Sequence, residues 1–70
     1  MRLTTGERIE RERVKKGLTK TQLAEKAGVT PGTIYYIEKD KHGATLAVAA
    51  LIADALGVSL DYLAGRRDEP

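Results

Sequence analysis

The stretch Thr19-Lys20-Thr21-Gln22-Leu23-Ala24-Glu25-Lys26-Ala27-Gly28-Val29-Thr30-Pro31-Gly32-Thr33-Ile34-Tyr35-Tyr36-Ile37-Glu38-Lys39 decides the fold. Thr19-x-x-Gln22 fits a capping box, in which a hydroxyl and an amide satisfy orphan backbone donors at a helix start. Leu18 before that cap and Leu23 after it have the spacing of a hydrophobic staple. Val29 and Ile34 bracket Thr30 in the same way, with Pro31 at the first helical position, where its missing N–H costs nothing. Between the two helices Gly28 can take φ > 0 in the turn, and Ala24 has too little side chain to hold the helices apart. Ile34 and Ile37 then plug the second helix onto the core, and Leu23, Ala27 and Val29 complete the apolar seam. Two short helices crossing steeply across a tight turn are expected.

Working outward, Thr4-x-x-Glu7 marks another capping box, and Val58 and Leu63 bracket Ser59 as a further staple. Thr45 to Leu56 is dominated by Ala, Leu, Ile and Val and is closed by Gly57. Gly17 and Gly28 end the first two helices likewise. The spacing predicts an all-α, five-helix domain over 1–70, with helices at about 5–16, 20–27, 31–39, 46–56 and 60–64. No strand signal competes. The run Glu7-Arg8-Ile9-Glu10-Arg11-Glu12-Arg13 reads as a solvated, salt-bridged face with Ile9 and Val14 inward, and 65–70 as a frayed polar tail.

Composition narrows the function classes. A chain of 70 residues buries only about 60% of its unfolded surface, which leaves little room for an enclosed active-site cavity. There is no cysteine and a single histidine, His42, so neither a disulfide framework nor a Cys- or His-based metal site is expected. One histidine and acids scattered among basic neighbours supply no convergent catalytic set, which argues against an enzyme, and neither a cofactor nor a small-molecule ligand is indicated. No apolar run approaches the roughly 20 residues of a membrane span, and the N-terminus lacks a signal-peptide stretch, so a cytoplasmic location is expected. Twelve Lys and Arg against ten Asp and Glu give a formal charge of +2. That charge permits nucleic-acid binding without demonstrating it. The basic residues crowd the first 41 positions, whereas 43–65 carries no Lys or Arg and two acids, Asp54 and Asp61.

The segment from Lys16 to Thr30, followed by Thr33-Ile34-Tyr35-Tyr36-Ile37-Glu38, closely resembles the Cro/cI-type helix-turn-helix family, also called the XRE family. The run Ile52-Ala53-Asp54-Ala55-Leu56-Gly57-Val58-Ser59-Leu60-Asp61-Tyr62-Leu63 is similar to that family's fourth and fifth helices. The resemblance extends from about Gly6 to Gly65. It implies a regulator of transcription, a repressor, that places its third helix in the major groove of double-stranded DNA while the second lies across the groove and touches the backbone.

The family's base-reading positions correspond to Pro31, Gly32, Thr33 and Tyr36. At 100° per residue, Ile34, Ile37 and Glu38 share one side of the helix, Gly32, Tyr36 and Lys39 the opposite side, and Thr33 and Tyr35 the flanks. Pro31 and Gly32 offer no side-chain hydrogen bond where the family often has Gln, Ser or Arg. Direct readout therefore rests on Thr33, Tyr36 and Lys39, with Pro31 packing on a thymine methyl. For Tyr35 and Tyr36 the competing reading is half-buried packing with a wet hydroxyl. Phosphate contacts are expected from Thr19, Lys20 and Thr21 at a helix N-terminus, from Tyr35, and from the loop Lys41-His42-Gly43. A solvated loop residue competes with the phosphate role for His42. Arg13 and Glu38 stand where the family often carries an ion pair joining the first and third helices. Leu51, and with it Tyr62, would contribute to the homodimer that the family expectation sets on two half-sites, unless Leu51 is a surface leucine without a partner. A rival reading keeps the fold but gives it a protein partner, as in an antitoxin, or makes the chain the DNA-binding fragment of a larger regulator.

Overall fold

In a computed structural model describing residues 2–41 and 43–70, each of five helices starts on a hydroxyl. α1 spans Thr5–Lys15, α2 Lys20–Ala27, α3 Pro31–Glu38, α4 Leu46–Leu56 and α5 Leu60–Leu63. The N-caps are Thr4, Thr19, Thr30, Thr45 and Ser59, and each side chain accepts from the amide three residues on. At α1 and α2 the return bond from Glu7 or Gln22 is also made, at 2.8 Å in both cases. No strand occurs among the described residues.

Gly28 ends α2 at φ 77°, a conformation that side chains other than glycine's adopt only with strain. The amides of Gly28 and Val29 both return to Ala24 O, at 2.8 and 2.9 Å, which closes the turn into α3. The apolar face of each helix then meets in one core of Ile9, Leu23, Ala24, Ala27, Ile34, Ile37, Ile52, Ala53, Leu56, Tyr62 and Leu63. Ala24 has no exposed surface where α2 crosses α3, so the two helices approach over a methyl group.

Three expectations for the flanking segments need correction. Val14 is 61% exposed; five residues beyond Ile9 it is rotated about 140° away from the core-facing side. Nor is the Glu7–Arg13 run a solvated face throughout, because Arg8 and Glu12 are buried. The Tyr62 hydroxyl donates to Glu12 Oε2 at 3.2 Å, and the Arg8 guanidinium lies 5.0 Å above the Tyr62 ring while donating to Leu3 O and Arg67 O. These partners let two charges sit beneath the surface. Finally, 65–70 is not frayed: it turns back, with Arg66 N–H donating to Asp61 O and Ser59 N–H to Pro70 O.

Burial also decides the part Tyr62 can play. It is 4% exposed, so the expectation that it contributes to a dimer contact is corrected: the ring is a core side chain that supports Arg8 and Glu12. Burial pushes its phenol pKa up from 10.0, and the neighbouring Glu12 carboxylate pushes in the same direction.

Candidate functional site

The outward side of α3 follows from what the inward side must do. Ile34, Ile37 and Glu38 are buried, which leaves Pro31, Gly32, Tyr35, Tyr36 and Lys39 exposed along the opposite flank and Thr33 half-buried. Tyr35 and Tyr36 are 43% and 46% exposed, so each ring stands about half in solvent. Their rings meet edge to face with centroids 5.3 Å apart, and the Lys39 ammonium lies 5.9 Å from the centre of Tyr35. An aromatic pair beside an ammonium group presents an apolar surface with hydroxyl tips and one charge.

The amino-terminal end of α3 is less decorated. Gly32 adopts helical backbone, and a Cβ at that position would have only the Thr30 hydroxyl, 4.0 Å away, near it. The hydroxyls of Thr30 and Thr33 lie 2.9 Å apart, and Thr30 Oγ1 also accepts from Thr33 N–H at 3.2 Å. Thr33 therefore begins engaged with the cap, and any outside partner must share its hydroxyl. The exposed groups on this flank grade from backbone and methyl surface at Pro31 and Gly32 to phenol and ammonium at Tyr36 and Lys39.

A buried ion pair anchors α3. Glu38 accepts from Arg13 Nε at 2.7 Å and from Nη2 at 3.2 Å, and the remaining Nη1 donates to Leu18 O at 2.8 Å. Lys20 Nζ stands 3.8 Å from Glu38 Oε1. The ammonium expected to meet phosphate is thus partly engaged by a carboxylate and keeps about a third of its side chain in solvent. Around it, the hydroxyl of Thr19 caps α2 while Thr21 is exposed. The amides of Lys20 and Thr21, as first-turn groups, have no intrahelical acceptor. Lys41 and Gly43 are exposed beyond the carboxyl end of α3; His42 lies outside the described residues.

Sequence reasoning missed one participant. Asp40 follows α3 with φ 57°, the one left-handed residue other than glycine among those described. Its carboxylate faces the start of α1, accepting from the Thr4 hydroxyl at 2.7 Å and from Gly6 N–H at 3.2 Å. On α4, Leu46 and Leu51 are 75% and 45% exposed, so Leu51 lies outside the core.

Comparison with known proteins gives a consistent result. A helix-turn-helix family model matches residues 9–63. The immunity repressor protein of Bacillus phage phi105 is 35% identical over 63 residues, which cover 90% of this chain but 44% of the repressor. Among solved structures, the N-terminal DNA-binding domain of SinR from Bacillus subtilis superposes with a TM-score of 0.81 at 32% identity, over 84% of this chain and 87% of that one. The P22 c2 repressor in complex with a synthetic operator gives 0.83 at 28% identity, over 87% and 92%.

Proposed function

Since the chain belongs to the Cro/cI-type helix-turn-helix family, we propose that it is a sequence-specific, double-stranded-DNA-binding repressor of transcription that lays α3 in the major groove. Its family and fold are those of DNA-binding transcription regulators rather than of enzymes. The observation that carries the reading is the flank Pro31, Gly32, Thr33, Tyr36 and Lys39, turned outward on a helix whose opposite face is locked by Ile34, Ile37 and the Arg13–Glu38 pair. A rigid helix that turns a polar and aromatic flank toward solvent suits base-edge contact. Thr33, Tyr36 and Lys39 supply hydrogen bonds, and Pro31 supplies a surface for a thymine methyl. Thr19, Lys20, Thr21, Tyr35, Lys41 and Gly43 grip phosphate, which holds the register without reading sequence.

The protein acts as a homodimer in the cytoplasm in this proposal. Support comes from the exposed Leu51 on α4 and from the described helices, none of which is long and apolar enough to cross a membrane. The chain spans less than half of the length of the phage immunity repressor that it matches. Because Pro31 and Gly32 contribute no hydrogen-bonding side chain, DNA shape carries part of the specificity.

Selection from random duplex DNA, followed by titration of the winner and a scrambled duplex at several salt concentrations, tests the proposal. The selected duplex should bind at least about a thousandfold more tightly than the scrambled one. Equal affinity for both, with a log–log salt slope explained by about 0.9 per phosphate contact, would refute the specific-repressor reading. Binding to neither duplex would favour a protein partner instead.

A further inference from the structure

The carboxyl end of α3 is tied to the start of α1 by a residue that base and phosphate contacts leave unused. Asp40 holds φ 57°, a region in which residues other than glycine are uncommon. The strained backbone aims its side chain at α1, where it accepts from the Thr4 hydroxyl and the Gly6 amide. The backbones come equally close. A Cβ on Gly6 would stand 2.3 Å from Ile37 O, 2.8 Å from Glu38 O and 2.7 Å from Asp40 Oδ1, so only glycine lets the helix start approach. Seven residues further along α1, about 10 Å away, Arg13 grips Glu38. α1 therefore holds the end of α3 at two separated points, which together with the core packing of Ile34 and Ile37 sets the helix's orientation.

We propose that Asp40 is a positioning residue for DNA recognition, whose clasp on Thr4 and Gly6 sets the angle of α3 and the direction in which the chain leaves toward Lys41. The inference rests on the DNA-binding reading above. Asp40 need not touch DNA: its carboxylate is occupied by α1 and carries the wrong charge for phosphate. Its effect should appear in discrimination, because a tilted α3 loses alignment with base edges before it loses its cations.

Asp40→Gly separates these roles, since glycine takes φ 57° without strain and removes only the side-chain clasp. The assay measures binding of wild type, Asp40→Gly and Asp40→Asn to the selected duplex and to its scrambled version, alongside the thermal midpoint of each protein. For Asp40→Gly the midpoint should stay within a few degrees of wild type while the selected-to-scrambled affinity ratio falls about tenfold, comparable to one mismatched base pair. The salt slope should not change. Asp40→Asn, which keeps an acceptor for Gly6 N–H and tolerates the left-handed backbone, should restore most of the ratio. An unchanged ratio in Asp40→Gly would overturn the clasp alone. So would a glycine variant that is unfolded at the assay temperature, because the role would then be purely structural, or an asparagine variant that discriminates less than the glycine one. Wild-type protein without preference for the selected duplex would overturn the DNA-binding reading and the clasp's role with it.

Discussion

Removing the Glu38 carboxylate should come close to unfolding the protein. Arg13 and Glu38 are 8% and 5% exposed and meet through two hydrogen bonds. Glu38→Ala leaves Arg13 with one firm acceptor, Leu18 O, and with Glu10 at 3.9 Å. A guanidinium cannot escape by losing its proton. Breaking a buried pair from one side costs about 3–5 kcal/mol, whereas an exposed pair is worth roughly 0–1. A 70-residue chain at about 0.05–0.15 kcal/mol per residue has roughly 4–10 kcal/mol to lose, so the variant should sit near the edge of folding. Urea titration followed by helical circular dichroism measures this, reading the midpoint at constant slope. Glu38→Gln, which retains one acceptor, should lose about half as much. Replacing both residues with apolar side chains of similar volume should cost less than Glu38→Ala. A Glu38→Ala cost below about 1 kcal/mol would refute the reasoning, because water would then be screening the pair.

Three further outcomes follow from the same geometry. Gly32→Ala should stabilise the fold by about 0.5–1 kcal/mol in the same titration, because the position is helical and a Cβ meets open space; destabilisation would mean that the start of α3 needs glycine. Tyr62→Phe should flatten the alkaline loss of stability. With its pKa raised in the folded state, Tyr62 contributes stability that is present below pH 10 and lost as pH climbs through the folded value, so wild type and variant must differ in slope above pH 10. Lys41→Ala should weaken binding to the selected and scrambled duplexes alike and lower the salt slope by about 0.9; a loss confined to the selected duplex would make Lys41 a base reader.

Much of the fold was legible because it is set locally. A hydroxyl three residues before an acid or amide, a proline at a first helical turn and a glycine at a last one decide helix ends by bonds that span three to five residues. What the sequence hid was long-range or depended on the register of α1. Val14 is not placed by Ile9 alone: the inward stripe of α1 is Gly6, Arg8, Ile9, Glu12 and Arg13, charged at three of its five positions, and hydrophobic periodicity cannot see such a stripe. Tyr62 looked available because nothing local reports that Arg8 and Glu12 converge on it from 50 or more residues away. The Asp40 clasp left one trace. Glycines were identified at the ends of α1, α2 and α4, but none at the end of α3, and Asp is among the few other residues that accept positive φ. The outward flank of α3 was readable as geometry. Its chemistry was less so, since the cap geometry that draws the Thr33 hydroxyl toward Thr30 belongs to the folded turn.

The hydroxyl caps at all five helix starts also bear on how quickly the chain can find its structure. Each stop and start is decided among neighbours in sequence, and consecutive helices are separated by only a few residues. Closing such short loops costs little chain entropy, so the search reduces to docking pieces whose limits are already marked. Refolding in about microseconds to milliseconds is the corresponding rate for a chain of local contacts. A single-exponential refolding phase lasting seconds would show that the non-local joints between α1 and α3, rather than the caps, limit assembly.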